Sequence, residues 1–316
     1  MQQVRRLSVL AFVILILFSS AYSQNQLEAR SAYDSAIKDY TNRDLDGALK
    51  GFTRAIELTS WGSDRRSRPP GHPTSKLQNS EAADQVVLVD PLIALSLAGR
   101  ALVKFERKDF EGALEDCDRA LRIHPGLMEA YVNRAAIRWT MGDFEGALTD
   151  LNHVVTKRPG DPRAFDARGK VRLDRGDAHG AFADFEKAIS LNPKNAAFYC
   201  NRGMARRNLG KIDAAIADYN RAIEMDPGLT RAYYRRAVAW IAKGESGKAF
   251  LDLEKTIELE PGLAQAYGTR GLLYLQLGQD EKAEADFATC LKLDPALGKQ
   301  LQARIEVTKA QRPAKK

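Results

Sequence analysis

The sequence predicts an all-α chain of stacked helix-turn-helix units, and a repeated proline is the first observation that predicts it. Prolines recur every 34 residues, at Pro91, Pro125, Pro159, Pro193, Pro227, Pro261 and Pro295. A constant period of this length is typical of a helix-turn-helix unit in a repeat array. With each proline at position 32 of its unit, six units fill residues 94–297.

Small and apolar residues recur inside each unit at helical spacing. Position 8 is alanine or glycine in every unit, and position 20 is always alanine. Position 24 lies one helical turn further on. It holds Cys117, Leu151, Phe185, Tyr219, Leu253 and Phe287. Each unit therefore predicts two amphipathic helices, and in five units a glycine at position 15 suits the turn between them.

These residues resemble the tetratricopeptide repeat family. An aromatic residue at position 4, the small position 8, the alanine at position 20 and the closing proline run through residues 94–297 with few departures. The family's usual Trp and Leu are replaced mostly by Tyr or Phe and by Arg. The resemblance implies a right-handed α-solenoid of about seven repeats, with a concave groove lined by the first helix of each pair.

A degenerate first repeat is predicted over residues 24–62. Ala36, Ala48, Phe52 and Ala55 are in register with the later repeats, and Ser60 replaces the proline. Together with the six regular repeats, it completes the predicted array of about seven.

Arginine holds position 7 and aspartate holds position 23 of all six regular units. In an antiparallel hairpin that turns at position 15, these two positions lie opposite each other. The arginines could instead form a phosphate-binding stripe, but each already has a carboxylate placed to receive it. We therefore predict six pairs: Arg100–Asp116, Arg134–Asp150, Arg168–Asp184, Arg202–Asp218, Arg236–Asp252 and Arg270–Asp286.

Residues 1–23 have the pattern of a signal peptide. Arg5 and Arg6 precede an apolar stretch over 7–18, and Ala-Tyr-Ser at 21–23 is a small-x-small cleavage site. The stretch is short for a membrane span, which needs roughly 20 residues. We expect export to the periplasm or secretion; the alternative is a chain anchored in the membrane by an uncleaved N-terminal segment.

Two further segments flank or interrupt the array. Residues 63–93 are predicted to be an insertion and partly a disordered loop, because their first half is rich in Arg, Pro, Ser and Gly. It is either a tolerated surface insertion or a flap or docking strap. In residues 298–316, the spacing of Leu301 and Ile305 after Leu297 predicts a capping helix followed by a basic tail.

The net charge of +7 does not indicate a nucleic-acid partner. The excess of basic residues lies before residue 24 and after residue 297, so the array between them is balanced. A nucleic-acid interface needs an extended basic face.

The three cysteines fall in three different units, too far apart to pair. Cys117 and Cys290 hold core positions, whereas Cys200 holds a position that can face the groove.

The residues indicate no catalytic site, no metal site and no cofactor, and the chain is not expected to be an enzyme. The four histidines are scattered without a second ligand at metal-binding spacing. The stretch Gly-Glu-Ser-Gly-Lys at 244–248 lacks the spacing of a nucleotide loop or a serine elbow, and it lies at a predicted turn.

The resemblance implies that function lies on inward positions 2, 5, 6, 9, 12 and 13 of the first helices. The middle repeats then give seven candidate peptide-binding residues: Arg163, Lys170, Asn201, Arg207, Arg231, Tyr234 and Arg235. Asn201, Arg231 and Arg235 resemble part of a carboxylate clamp, although Asp166 and Lys170 replace its Lys and Asn. Arginine suits a bidentate contact with carboxylates, so we expect an acidic or C-terminal peptide.

The sequence thus predicts a non-catalytic protein–protein interaction scaffold outside the cytoplasm, with a partner peptide or helix in the concave groove. The alternative is a structural component of an envelope or secretion assembly that binds through the convex face, the ends or the insertion. A third reading is an accessory subunit whose enzyme partner is a separate chain. Contact with a membrane is expected only through an uncleaved signal segment.

Overall fold

A computed structural model of the chain describes residues 24–60 and 91–311, and in these ranges the regular structure is helical. The described residues fall into two compact units, the first ending at Lys157 and the second beginning at Arg158. The all-α prediction is therefore confirmed.

Three predicted segments lie wholly or mostly outside the described residues. They are the signal peptide at 1–23, residues 63–90 of the insertion together with 61–62 at the end of the degenerate repeat, and the last residues of the basic tail, 312–316.

The first unit is a series of helices joined by short turns. Its helices are α1 (described from 24 to 41), α2 (Leu45–Ser60), α3 (Pro91–Glu106), α4 (Phe110–Ile123), α5 (Met128–Thr140) and α6 (Phe144–Lys157). Helices α3 and α4 form the first regular repeat, and α5 and α6 form the second.

The second unit continues the same alternation. Its helices are α7 (Pro162–Asp174), α8 (Ala178–Leu191), α9 (Ala196–Asn208), α10 (Ile212–Met225), α11 (Thr230–Ala242), α12 (Ser246–Leu259), α13 (Ala264–Gln276), α14 (Asp280–Leu293) and α15 (Gly298–Ala310). A 3-10 turn over Pro295–Leu297 leads into α15. Leu301 of α15 is buried in the core cluster of the last repeat, and Leu297 and Ile305 pack against the same cluster.

Helix α3 begins earlier than the sequence predicts. It starts at Pro91, three residues before position 1 of the first regular repeat, so the insertion predicted over 63–93 ends inside a helix.

The degenerate hairpin packs directly onto α3. Ala36, Ala48, Phe52 and Ala55 are all buried. The ring of Phe52 lies beneath Gly99, where an added Cβ would come within 2.5 Å of it. The first hairpin therefore stacks on the regular repeats across the insertion.

All six predicted Arg–Asp pairs form. In each repeat, Nε and Nη2 of the arginine donate to the two carboxylate oxygens of the aspartate. The ion-pair distances are 2.6–2.8 Å. Every one of these aspartates is buried, so each pair ties the two helices of a repeat together at a site largely closed to water.

A second set of basic residues, which the sequence analysis did not predict, contacts the same aspartates. At position 11, Lys104, Arg138, Arg172 and Arg206 lie within 2.8–2.9 Å of the aspartate of their own repeat. In the last two repeats an aromatic residue, Trp240 or Tyr274, replaces the basic residue at position 11. There Lys248 lies over Trp240, and Lys282 lies over Tyr274. A cation near the turn is thus supplied from the second helix instead of the first.

Candidate peptide-binding groove of the second unit

The seven predicted peptide-binding residues all lie on α7, α9 and α11 of the second unit. These first helices contact one another in succession, α7 with α9 and α9 with α11. We call the side formed by α7, α9, α11, α13 and α15 the first-helix face. It corresponds to the groove that the family resemblance implies.

Four polar side chains of this face are connected to each other. Lys170 Nζ lies 2.6 Å from one oxygen of Asp166, and Asn201 Nδ2 donates to the other oxygen at 2.7 Å. Arg235 Nη1 in turn donates to Asn201 Oδ1 at 3.3 Å. The chain of contacts runs across α7, α9 and α11, so these residues hold neighbouring repeats together.

Asn201 is far less accessible than a ligand-binding amide at a surface would be. It is 2% exposed, and its amide is engaged on both sides. Asp166 is also buried, and its carboxylate is occupied by Asn201 and Lys170. The structure therefore places Asn201 below the surface of the first-helix face, beneath the more exposed cations.

These contacts between successive repeats share one sequence spacing, which the position numbers within a single repeat do not reveal. Position 6 of one repeat contacts position 5 of the preceding repeat, 35 residues earlier in the chain. Tyr234 and Thr269 form such a pair through their hydroxyl groups at 3.3 Å. In the first unit, Asn133 Nδ2 donates to the carbonyl oxygen of Ala98 at 3.1 Å. A search for polar residues at this separation would have found the side-chain pairs.

Four cations of the face reach solvent to different degrees. The Arg163 side chain is 84% exposed and contacts Asp161 at 3.3 Å. Arg231 is exposed, whereas Arg207 and Arg235 are half-buried. Arg231 and Arg235 lie one turn apart on α11, so their charges share one side of that helix.

Cys200 does not face the groove as the sequence analysis allowed. Its side chain is fully buried in the core of the second unit. Burial raises the pKa of the thiol, although the charges of Arg235 and Arg231 oppose the rise. The side chain at position 5 is buried here because the contact between successive first helices covers it. Cys200 is therefore a core residue.

The same face carries an apolar cavity that the sequence analysis missed. Its volume is about 290 Å³, and it lies between α11, α13 and α15. Apolar side chains form most of its wall: Ile241, Leu272, Leu273 and Val307. Ile241 and Leu272 hold inward positions 12 and 9, so the register could have found them. The seven candidate residues belong to the middle repeats, so they extend no further than α11.

Within 24–60 and 91–311, no group of three or more His, Cys, Asp or Glu side chains is arranged to hold a metal ion. Among the helices of those ranges, none has both the length and the apolar character that crossing a bilayer demands.

Family models described as tetratricopeptide repeat match residues 100–165, 162–195, 196–229 and 264–297, which together are just over half of the chain. No match was found among curated proteins.

Solved structures with the same architecture are also similar. A tetratricopeptide repeat protein from Parabacteroides merdae ATCC 43184 is 19% identical, with a TM-score of 0.68 over 89% of this chain and 99% of that protein. TTC0263, a thermophilic TPR protein of Thermus thermophilus, is 20% identical, with a TM-score of 0.51 over 57% and 98%. MamA is 29% identical, with a TM-score of 0.44 over 52% and 96%. Because family models match more than half of its residues, and the first two of these structures share its fold, the chain belongs to the tetratricopeptide repeat family.

Proposed function

We propose that this chain is a non-catalytic protein–protein interaction scaffold that acts outside the cytoplasm and binds an acidic segment of a partner protein. The proposed binding surface is the first-helix face of the second unit. Family membership supports the scaffold role, because tetratricopeptide repeats bind protein or peptide partners. The export part rests on the signal-like pattern of residues 1–23.

The arrangement of charge on α9 and α11 is the observation that carries the proposal. Arg231 is exposed one turn from Arg235, and Arg207 lies on the neighbouring helix. Asp166 does not cancel this charge at the surface, because it is buried and bound by Lys170 and Asn201. Arginines held this way offer bidentate hydrogen bonds to the carboxylates of a partner.

The test is affinity capture from the envelope fraction of the native host. The bait is the chain from Gln24 onward, compared with its Arg231→Glu/Arg235→Glu variant. Captured proteins are identified by mass spectrometry. We expect a partner that the parent captures and the variant loses, and we expect its capture to weaken as salt rises, since exposed charges are screened.

Arg221→Glu provides the matched control. Arg221 lies on α10, its side chain is 56% exposed, and it pairs with Glu224 at 3.1 Å. The substitution reverses the charge of one arginine away from the first-helix face, as each substitution of the double variant does on that face, so capture should persist. Equal capture by parent and double variant would contradict the proposed surface and favour the convex face, the ends or the insertion.

A further inference from the structure

We propose that the cavity between α11, α13 and α15 is an anchor pocket for one large apolar side chain of the partner segment. This inference rests on the proposed function, because the same segment would contact the arginines of α11 and then reach the cavity.

The cavity and the arginines lie along one helix. Arg231, Arg235 and Ile241 all belong to α11, and Ile241 lines the cavity. Six residues of helix separate Arg235 from Ile241, a rise of about 9 Å. Arg235 extends towards Asn201 on α9 and Ile241 faces the cavity beside α13, so a bound segment also crosses α11. An extended peptide therefore needs at least about three residues to join the two sites. The geometry therefore favours a segment in which about three or more residues separate the acidic residues from the apolar anchor.

The size and lining of the cavity fit a side chain better than a larger ligand. Its volume of about 290 Å³ falls at the lower limit for pockets that enclose small molecules. Leu272, Leu273 and Ile241 line its wall, and Gln276 and Arg304 also contribute to it. A Leu, Ile, Met or Phe side chain of the partner would therefore bury apolar surface there. Carboxylates next to it in the partner segment would pair with Arg304.

The capping helix leaves part of this apolar wall uncovered. Val307 of α15 lines the cavity and is 56% exposed. A terminal cap ordinarily turns a polar face outward, so an exposed valine beside a cavity departs from what capping alone requires. The adjacent Arg304 has the same sign of charge as Arg231 and Arg235. Charge complementarity thus points to an acidic segment carrying one apolar anchor.

The probe is a displayed random peptide library, panned on the chain from Gln24 onward. Selected peptides are then synthesised with a fluorophore, and their dissociation constants are measured by anisotropy. We expect them to combine acidic residues with one large apolar residue at the spacing given above. Replacing that residue by alanine should weaken binding about tenfold or more, since it removes the burial of a large apolar side chain.

Two variants of α15 test the cavity itself. Ala303 lines the cavity and is exposed, so Ala303→Trp should fill it and weaken binding by a similar factor. Gln302→Trp adds the same side chain to the neighbouring exposed position and should leave binding unchanged. Circular dichroism of both variants checks that α15 remains folded.

The outcomes separate the anchor from the function on which it rests. Acidic peptides that bind Ala303→Trp as tightly as the parent, yet lose affinity for Arg231→Glu/Arg235→Glu, would overturn the anchor pocket and leave the proposed function standing. Selected peptides that are insensitive to both changes would overturn both. A library that yields no binder of the first-helix face would have the same consequence.

Discussion

At the scale of single residues, the turn inside each repeat requires a positive φ at position 15, but not every repeat has glycine there. Five repeats place glycine at position 15 with φ between +75° and +91°. At the same position, the degenerate repeat has Arg43 and the first regular repeat has Lys108, both with φ of 65°. The left-handed conformation is unfavourable for residues with a Cβ, so these two turns are strained where the others are not.

Lys108→Gly should therefore stabilise the protein, by about 0.5–1 kcal/mol once the greater flexibility of glycine in the unfolded chain is counted. Gly142→Lys makes the reciprocal change in the next repeat and should destabilise by a similar amount. No atom lies within 4 Å of a Cβ added at Gly142, so the effect there is conformational and not steric. Urea unfolding followed by circular dichroism measures both, and a shift of the same sign in the two variants would contradict the explanation.

At the scale of helices, the packing of each hairpin depends on two positions whose volumes are matched. Glycine at position 8 faces an aromatic ring at position 24 in three repeats, as in Gly203 with Tyr219. Alanine at position 8 accompanies the smaller Cys or Leu in the other three, as in Ala237 with Leu253. An added Cβ on Gly203 would come within 2.6 Å of the Tyr219 ring. The pattern keeps the volume between the two helices of a repeat nearly constant.

Gly203→Ala should destabilise the protein by about 1–3 kcal/mol, because the buried Tyr219 ring has no room to move aside. Adding Tyr219→Leu recreates the alanine–leucine combination of the next repeat. The double variant should therefore lose less than the sum of the two single variants, with a coupling energy of about 1 kcal/mol or more. Gly262→Ala is the control, since nothing lies within 4 Å of its added Cβ. Additive losses would show that the two positions are not matched.

At the scale of the whole molecule, the described chain consists of two helical units whose cysteine thiols all lie in the core. Its three cysteines are free and buried. Burial raises the pKa of the Cys117 thiol to about 12, and it also raises the pKa values of Cys200 and Cys290. Thiols with raised pKa values and no access to solvent are poor nucleophiles.

The native protein should thus resist alkylation at neutral pH, and all three thiols should react after unfolding. Mass spectrometry after iodoacetamide treatment, with and without denaturant, counts the modified cysteines. Rapid alkylation of Cys200 in the native state would show that position 5 of its repeat is open to the groove.

The sequence by itself determined the period, the helix pairs, the turns and the six Arg–Asp pairs, because all of these lie within one repeat. Their geometry follows from helical spacing and from the reversal at position 15, which are local properties. Seven candidate groove residues could likewise be placed on the correct helices from their register.

Only the tertiary structure decided how successive first helices meet. The contact between position 6 of one repeat and position 5 of the preceding one buries Asn201 and Cys200, and it joins Tyr234 to Thr269. The cavity beside Val307 likewise exists only where α15 packs on the last repeat. Contacts between repeats depend on the angle and distance at which hairpins stack, and these result from many side chains packing together, so no single position in the period encodes them.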